Sequence, residues 1–296
     1  EFTGNKFYPF GHEESGPASA VAVSPFTNQV WASFKNGIYA ITEGELERIA
    51  TIDYQIFNLL PLEEALLVCT ARGLFHFDLV RKTVQPIYDE WLNGIFCLKA
   101  YQDRNGLIWV LTTAGAFCFD EFGLVNTLTH RPGDTESLSH NLVLSMVNDR
   151  RGLFWFGTGQ GLNLADPLQD RFLRINQKSE GPIPLTDQHV EVLHFANDTV
   201  LWIGTASGIT RVVFAELGNL STLHPGKWPI KSVSRFTTES HREFVDDNVD
   251  YILPLGEKAF VGSSMGHLYE INQHEELRQI SLPKDFGQLR GMVLRE

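Results

Sequence analysis

The segment YDEWLNG places Trp91 directly after Asp89 and Glu90 and two residues before Asn93. A protein that binds a sugar needs a flat apolar surface on which the ring stacks and polar groups that pair with its hydroxyls. A tryptophan beside carboxylates and an amide offers both. Turn chemistry gives no reason for a tryptophan at this point. Trp91 is therefore the first candidate for a residue that stacks on a carbohydrate ligand.

Other polar residues stand in segments that have the composition of turns and linkers between short strands. The full predicted ligand-binding set is Trp91, Asn93, Arg72, Lys35, Gln160, His140, His189 and Asp247. Loops that carry binding residues are rich in such side chains, but so are ordinary solvated loops, and for each residue alone that alternative stays open. The prediction is a small carbohydrate ligand held by several of these loops together.

Four acidic residues leave an enzyme as an alternative. A glycosidase or polysaccharide lyase needs two carboxylates, or a base and a charge neutraliser, at one place. The acids that could converge are Glu90, Asp187, Asp246 and Asp247. The sequence contains no G-x-S-x-G nucleophile motif and no Gly-rich phosphate loop that opens a helix. We therefore predict no catalytic residues in this segment.

The histidines do not form a metal-binding motif. His189, His241 and His267 each stand near an acidic residue, but they fall in different parts of the chain and none has the H-E-x-x-H spacing. We predict no metal site and no cofactor.

Composition and charge limit the classes of partner that this chain is expected to bind. The chain has 296 residues, 43% of them hydrophobic, and a formal net charge of -12 without any run of lysines and arginines. Nucleic-acid binding draws on clustered basic residues, so a nucleic-acid partner is not expected. No apolar window is long enough for a membrane span, so no membrane contact by this segment is predicted. Cys69, Cys97 and Cys118 stand inside apolar runs, which predicts buried thiols.

The elements that must position the candidates come from an internal repeat. Six copies of one pattern are centred near Trp31, Val68, Trp109, Trp155, Trp202 and Phe260, and the glycines that follow them are between 36 and 58 residues apart. This is the period of a propeller blade with four strands. The recurring tryptophans Trp109, Trp155 and Trp202 are predicted to lie in the core between blades.

The fourth copy predicts the four strands of one blade. The apolar run LVLSMV predicts the inner strand, LFWFGT the second strand, LNLAD the third and RFLRI the half-exposed outer strand. Between the first two, Asp149 and Gly152 predict a tight turn. In such a meander the turns between second and third strands emerge on the same face as the linkers between blades, and this face would collect the candidate residues.

The predicted fold class is all-β, a propeller of four-stranded antiparallel blades that forms a single domain over residues 1–296. The chain ends resemble parts of a further blade, so the prediction is six repeats plus a partial seventh from residues 1–12 and 286–296. We favour a seven-bladed propeller that has been cut from a longer chain. The alternative is that the two terminal strands share one blade and close the ring.

The pattern D-x-x-G-L-x-W-x-G-T-x-x-G-L-x-x-x-D at Asp149–Asp166 resembles the two-component regulator propeller repeat, and the linker HRPGDTESLSHNLV before it resembles the linker of that family. The resemblance implies the periplasmic sensor region of a hybrid two-component histidine kinase of Bacteroides type. Such a region detects glycan breakdown products and passes the signal to a kinase outside this chain, through a homodimer of the full-length protein. A scaffold that binds other proteins is a further alternative.

Overall fold

A computed structural model describes residues 18–42, 45–149, 152–166, 171–175, 183–215, 229–256, 258–272 and 274–282. The chain folds as two compact units. Of the described residues, unit 1 comprises those within 18–113, 117–127 and 281–282, and unit 2 comprises those within 114–116 and 128–280. The prediction of one domain over residues 1–296 stays a prediction.

Unit 1 holds blades 1 and 2 and most of blade 3. Blade 1 consists of β1 (Ala18–Val23), β2 (Val30–Phe34), β3 (Gly37–Thr42) and β4 (Glu45–Thr51). Blade 2 consists of β5 (Ile56–Pro61), β6 (Ala65–Thr70), β7 (Gly73–Asp78) and β8 (Thr83–Ile87), followed by the one-turn helix α1 (Asp89–Leu92). Blade 3 consists of β9 (Cys97–Gln102), β10 (Ile108–Thr112), β11 (Gly115–Asp120) and β12 (Gly123–Leu128).

Unit 2 holds blades 4, 5 and 6. Blade 4 consists of β13 (Val143–Asn148), β14 (Phe154–Thr158), β15 (Gly161–Asp166) and β16 (Arg171–Ile175). Blade 5 consists of β17 (Val190–Asn197), β18 (Val200–Thr205), β19 (Gly208–Phe214) and β20 (Ile230–Phe236). Blade 6 consists of β21 (Val249–Leu255), β22 (Lys258–Ser263), β23 (Leu268–Ile271) and β24 (Leu277–Ile280).

Every blade is a four-stranded antiparallel sheet in which each strand pairs with its neighbour along the chain. The six repeat centres all fall in the second strand of a blade, and the four strands predicted from the fourth copy match β13 to β16. The turn between β13 and β14 is also as predicted, since Gly152 has φ 85° and the Asp149 carboxylate accepts a hydrogen bond from Leu153 N. The all-β propeller class with four-stranded blades is therefore correct.

The number of blades was predicted wrongly. The described residues form six four-stranded blades, and the seven-bladed type is overturned. Blade 1 already draws all four of its strands from residues 18–51, so it needs no strand from the chain ends. The segments 1–12 and 286–296, assigned to a partial seventh blade, lie outside the described residues. A match of a short apolar segment to one strand of the repeat did not by itself indicate a blade.

Tryptophans join blades through apolar cores, as predicted. In unit 2, Trp155 of blade 4 is fully buried against Phe195 and Phe214 of blade 5. One blade further on, Trp202 packs with Phe236 in a core that includes Phe244 and Tyr269. In unit 1, Trp31 lies in the core that blades 1 and 2 share. Trp109 is also buried, and its indole N–H donates to Asp103.

The second strands of blades 4 and 5 each carry a glycine that lies against the inner strand of the next blade. A Cβ on Gly204 would lie 2.6 Å from Val192 and 2.7 Å from Val249, the first residue of the next inner strand. Gly157 is confined in the same way by Ser145 and Val190. The glycine of the W-x-G-T motif thus allows close packing of blade on blade.

The three cysteines are buried thiols, as predicted. Burial raises the pKa of Cys97 to about 12 and raises that of Cys69 well above its ordinary value. They therefore behave as small apolar side chains of unit 1. Among the described residues, no helix has the length and apolar character that crossing a membrane requires.

Candidate ligand-binding edge

In both units the turns between second and third strands are hydrogen-bonded to the linkers that enter the blades. Ala71 N donates to Gln55 O at 3.0 Å, Gly159 N to Leu142 O at 3.0 Å, and Ser264 N to Asn248 O at 2.9 Å. The same contact recurs in blades 3 and 5, from Thr113 to Phe96 and from Ala206 to His189. We call these turns with their linkers the linker edge of each unit. The predicted grouping of turns and linkers is confirmed.

A threonine three residues before the turn glycine closes the turn in blades 2, 4 and 5. In blade 4 the Thr158 hydroxyl donates to Gly161 O at 2.9 Å and accepts from Gln160 N. Thr70 in blade 2 and Thr205 in blade 5 make the same bonds. Each of these buried hydroxyls thus pairs with one acceptor and one donor of its own turn. The motif residues therefore hold the scaffold of the edge.

Asn163 and Arg174, which are not fixed positions of the motif, hold the linker that enters blade 4. The side chain of Asn163 is fully buried; its Oδ1 accepts from Ser139 N at 2.8 Å and its Nδ2 donates to Ser139 Oγ at 2.9 Å. Arg174 donates to the carbonyl oxygens of Ser137 and Leu138 at 2.7 and 2.9 Å. Partial burial lowers the pKa of the Arg174 guanidinium, and the Asp134 carboxylate acts in the opposite direction. Hydrogen bonds from the third and fourth strands of blade 4 thus hold the linker in place.

Each inner strand begins with an irregularity at the linker edge. The register shifts next to its first residue in all six described blades, for example between Val143 and Ser145, Val190 and Val192, and Val249 and Tyr251. Such bulges bend a strand and redirect its side chains, and they are frequent beside binding sites. The sequence showed these residues only as part of an apolar run.

Trp91 is half-buried and packs against its own unit. It lies in α1, with its ring centroid 5.9 Å from that of Phe119 and its ring edge against Gly123. Tyr88, which precedes the helix with φ 53°, stacks on Phe119 at 4.0 Å and donates its hydroxyl to Asp120 O. Part of the Trp91 ring is therefore used to dock α1 on blade 3. Its role as a stacking platform stays a prediction.

The remaining candidates of unit 1 lie close together. Arg72 is exposed, with its guanidinium 6.0 Å from the Tyr54 ring, and its carbonyl accepts from Gly94 N, next to the exposed Asn93. Lys35 is exposed with φ 55°, and its carbonyl accepts from Ile56 N in the linker that carries Tyr54. Successive linkers thus bring Lys35, Arg72 and Asn93 to one edge. The Asn93 amide is turned back to the Asp89 carboxylate at 3.3 Å.

Two aromatic residues of this edge were missed by the sequence analysis. Tyr54 lies under the Arg72 guanidinium, and Phe96, which is 47% exposed, lies 6.1 Å from Phe57 of the inner strand. Phe96 immediately precedes the inner strand β9 in NGIFC, and Tyr54 stands two residues before the inner strand β5 in IDYQI. The available signal was an aromatic residue in the last two positions of these two linkers.

Unit 2 places two of its four candidates, His189 and Asp247, beside one turn. The β18–β19 turn donates from Ala206 N to His189 O and from Gly208 N to Asp247 O, so His189 and Asp247 flank it on two sides. The Ser207 hydroxyl donates to Asp187 at 3.4 Å. His189 is paired with Glu191, Nε2 to Oε1 3.0 Å. This cluster offers hydroxyl, imidazole and carboxylate groups within one unit.

His140 and Gln160 form a separate pair in blade 4. His140 Nδ1 accepts from Leu142 N at 3.1 Å and lies against Gly159, next to the exposed Gln160. Because Nδ1 is occupied, only Nε2 of His140 is left to face a ligand. The structure therefore joins the eight predicted residues into smaller sets, each within one unit.

The acids of the enzyme alternative cap turns. Asp187 accepts from His189 N at 2.7 Å, Asp246 accepts from Met265 N at 2.9 Å, and Asp247 accepts from Thr238 N at 3.2 Å. Glu90 lies in the first turn of α1 in unit 1. Turn capping accounts for these carboxylates without catalysis. Within the described ranges, no three His, Cys, Asp or Glu residues are placed to hold a metal ion.

Comparison with known proteins identifies the repeat. Residues 137–160 match the family model of the two component regulator propeller. The matched stretch contains Ser139, Thr158 and the turn they stabilise, which confirms the resemblance found in the sequence. A search of curated proteins finds no match.

Solved structures share the fold. The extracellular domain of the hybrid two component system BT3049 from B. thetaiotaomicron has a TM-score of 0.69 at 18% identity, covering 89% of this chain and 34% of that one. This chain therefore spans about a third of that domain. Virginiamycin B lyase from Staphylococcus aureus has a TM-score of 0.66 at 12% identity, covering 93% and 87%. PorZ of the type-IX secretion system of Porphyromonas gingivalis has a TM-score of 0.58 at 13% identity, covering 91% and 33%.

Proposed function

We propose that this segment is the ligand-sensing propeller of a two-component signalling protein, that it lies in the periplasm, and that it recognises an oligosaccharide. In this proposal the kinase lies outside the chain, and the signal passes to it through a homodimer of the full-length protein. The observation that carries the proposal is the two-component regulator propeller repeat at residues 137–160. The likeness to the extracellular domain of a hybrid two component system supports it at the level of fold.

The chemistry of the linker edge supports a sugar as the ligand. Unit 1 presents the exposed cations Lys35 and Arg72 and the aromatic rings of Tyr54 and Phe96, with the Arg72 guanidinium 6.0 Å from the Tyr54 ring. Aromatic rings stack on sugar faces, and guanidinium and ammonium groups donate to hydroxyls. In unit 2, Ser207, His189 and Asp187 add a second polar set. These groups need no catalytic arrangement in order to bind.

The rigidity of the scaffold supports a binding role as well. The turns are closed by buried threonine hydroxyls, and the long linker is held by Asn163 and Arg174. A site that is already ordered loses less conformational entropy when a ligand binds. A sensor with such an edge can distinguish ligands by the position of their hydroxyls.

A lyase is the second candidate function, because virginiamycin B lyase shares the fold over most of both chains. At 12% identity that likeness concerns the fold alone. In this chain the acids of the linker edge are occupied as turn caps. The lyase candidate requires that ligand binding release one of them for proton transfer.

A thermal-shift screen of this segment against a panel of oligosaccharides, with product analysis of every hit, tests the proposal. A ligand that binds only the folded state raises the melting temperature, and the shift grows with the logarithm of the ligand concentration above its Kd. We expect a shift with at least one oligosaccharide and no product. A product would establish the lyase instead, and an unchanged melting temperature across the panel would contradict a sugar site in this segment.

A further inference from the structure

A cavity of about 580 Å³ lies in blade 6 of unit 2, at the end of the sheet opposite the linker edge. It is lined by residues of the β21–β22 and β23–β24 turns and of the strands beside them, among them Leu255, Lys258, Glu270, Glu276 and Arg278. A volume of this order suits a small molecule. None of the predicted ligand-binding residues takes part in it.

The cavity is built around a buried carboxylate. Glu270 stands on β23 between Tyr269 and Ile271, whose side chains fill the core shared with blade 5. Since side chains alternate along a strand, Glu270 projects from the opposite face of the sheet. Its side chain is only 6% exposed, although it carries a charge. A buried carboxylate is stable only where cations and hydrogen bonds compensate its lost hydration.

Two cations supply this compensation. Lys258 Nζ lies 2.8 Å from Glu270 Oε1, and Arg278, the cross-strand partner of Glu270, donates from Nε to Oε2 at 2.9 Å. Burial raises the pKa of Glu270, but the hydrogen bonds and charges of these two residues outweigh it, so the pKa lies below its ordinary value. Glu270 is therefore an anion that holds both cationic heads at fixed positions.

Both cations keep donors for a second partner. An ammonium group has three N–H donors and a guanidinium five, and Glu270 takes only part of each set. The side chains of Lys258 and Arg278 are 54% and 63% exposed, so the remaining donors reach solvent at the cavity. The free end of the guanidinium retains the fork geometry that matches an oxyanion. Together the two cations and Glu270 carry one net positive charge.

The other wall of the cavity accepts hydrogen bonds. The Glu276 carboxylate is held by Asn272, whose Nδ2 donates to Glu276 Oε2 at 2.8 Å. This wall would repel a bare inorganic anion but can accept from the hydroxyls of a larger molecule. Leu255, 38% exposed, supplies an apolar side.

We propose that this cavity binds a small organic anion that carries hydroxyl groups, with its oxyanion on Lys258 and Arg278 and a hydroxyl facing Glu276. The oxyanion is a carboxylate or a phosphate, since both present the same acceptor geometry to the two cations. The site is independent of the linker edge and does not depend on the sensing function proposed above.

Isothermal titration calorimetry at constant ionic strength tests this proposal with glucuronate, glucose 6-phosphate and glucose as probes. The three share one sugar body, so the first two distinguish a carboxylate from a phosphate and glucose reports on binding without a charge. We expect at least one of the two anions to bind and glucose to bind at least about tenfold more weakly, the usual scale of a charge-assisted hydrogen bond.

Two variants and a matched control locate the binding. Arg278→Gln and Lys258→Gln each leave Glu270 one cation and are expected to weaken anion binding at least about tenfold. Arg235→Gln removes an exposed arginine from the outer strand of blade 5 and should bind like the unaltered protein. Circular dichroism below the melting temperature checks that all variants are folded. No heat with either anion, equal affinity for glucose, or equal affinities in all variants would overturn the proposal.

Discussion

At the scale of single residues, buried polar side chains in and beside the motif serve the scaffold. The hydroxyl of Thr158 closes a turn, and the amide of Asn163 holds the linker that enters blade 4. Neither projects a free group at the linker edge. Arg72 and Gln160 are exposed and lie in the turns, between the threonine and the glycine of the motif. We expect ligand contacts at such exposed turn positions, while the threonine and the glycine hold the fold.

The buried amide of Asn163 tests this division of roles. Asn163→Ala removes two hydrogen bonds to Ser139. The backbone N–H of Ser139 then loses its acceptor in a buried environment. We expect a loss of about 1–3 kcal/mol in the free energy of unfolding, measured by urea denaturation. Asn126→Ala, at an exposed position of an outer strand, is the control and should stay within about 0.5 kcal/mol. Equal losses in both variants would contradict the structural role of Asn163.

Glu270 is expected to make the free energy of unfolding depend on pH, with a smaller contribution at low pH. Because its pKa is lower in the folded state, its contribution to stability is complete above the unfolded-state pKa of about 4.3. The contribution is lost as the pH falls through the lower folded-state value. Glu270→Gln is therefore expected to cost about 1.5–3 kcal/mol at pH 7 and progressively less below pH 4. Urea unfolding of both proteins from pH 3 to 7 measures the difference; a gap that widens toward low pH would refute this assignment.

At the scale of elements, the sequence predicted the strands well because each blade repeats the same physical constraints. Periodic patterns in the sequence indicate four features of a blade: a buried inner strand, a second strand that often carries a tryptophan, a turn with threonine and glycine, and a half-exposed outer strand. The four strands around Trp155 were placed correctly in this way. The bulges at the inner strands could not be predicted, since the apolar run that carries Val143 continues through the irregularity.

The turn glycines are the positions of the repeat that are expected to tolerate substitution least. Gly208 has φ 122°, and a Cβ there would lie 2.3 Å from Phe236 O, a backbone atom that cannot move aside. Gly208→Ala is expected to lower the free energy of unfolding by about 2 kcal/mol or more. Gly256→Ala, with φ 60° and no atom near its Cβ, is the matched control and should cost about 1 kcal/mol. Chemical denaturation compares them, and the reverse order would contradict the packing of this turn.

At the scale of the whole molecule, the sequence predicted the propeller class and the two-component regulator repeat, and it overcounted the blades. The overcount arose because QLRGMVLRE and NKFYPFG match one strand of the repeat each, whereas a blade requires four paired strands. The linker edge was also predicted, because alternation of turns and linkers follows from the meander. The docking of Trp91 on Phe119 and the cavity around Glu270 depend on contacts between distant residues, which no local pattern contains.

Two arginine variants of blade 2 test the proposal that this segment binds an oligosaccharide at its linker edge. Calorimetric affinities for the strongest hit of the oligosaccharide panel are measured with Arg72→Ala and with Arg81→Ala. Both arginines are exposed in blade 2, but Arg72 lies at the linker edge and Arg81 in the β7–β8 turn at the other end of the sheet. The account predicts that Arg72→Ala weakens binding at least about tenfold while Arg81→Ala leaves it unchanged. Equal affinity in both variants, or a loss with Arg81→Ala alone, would contradict it.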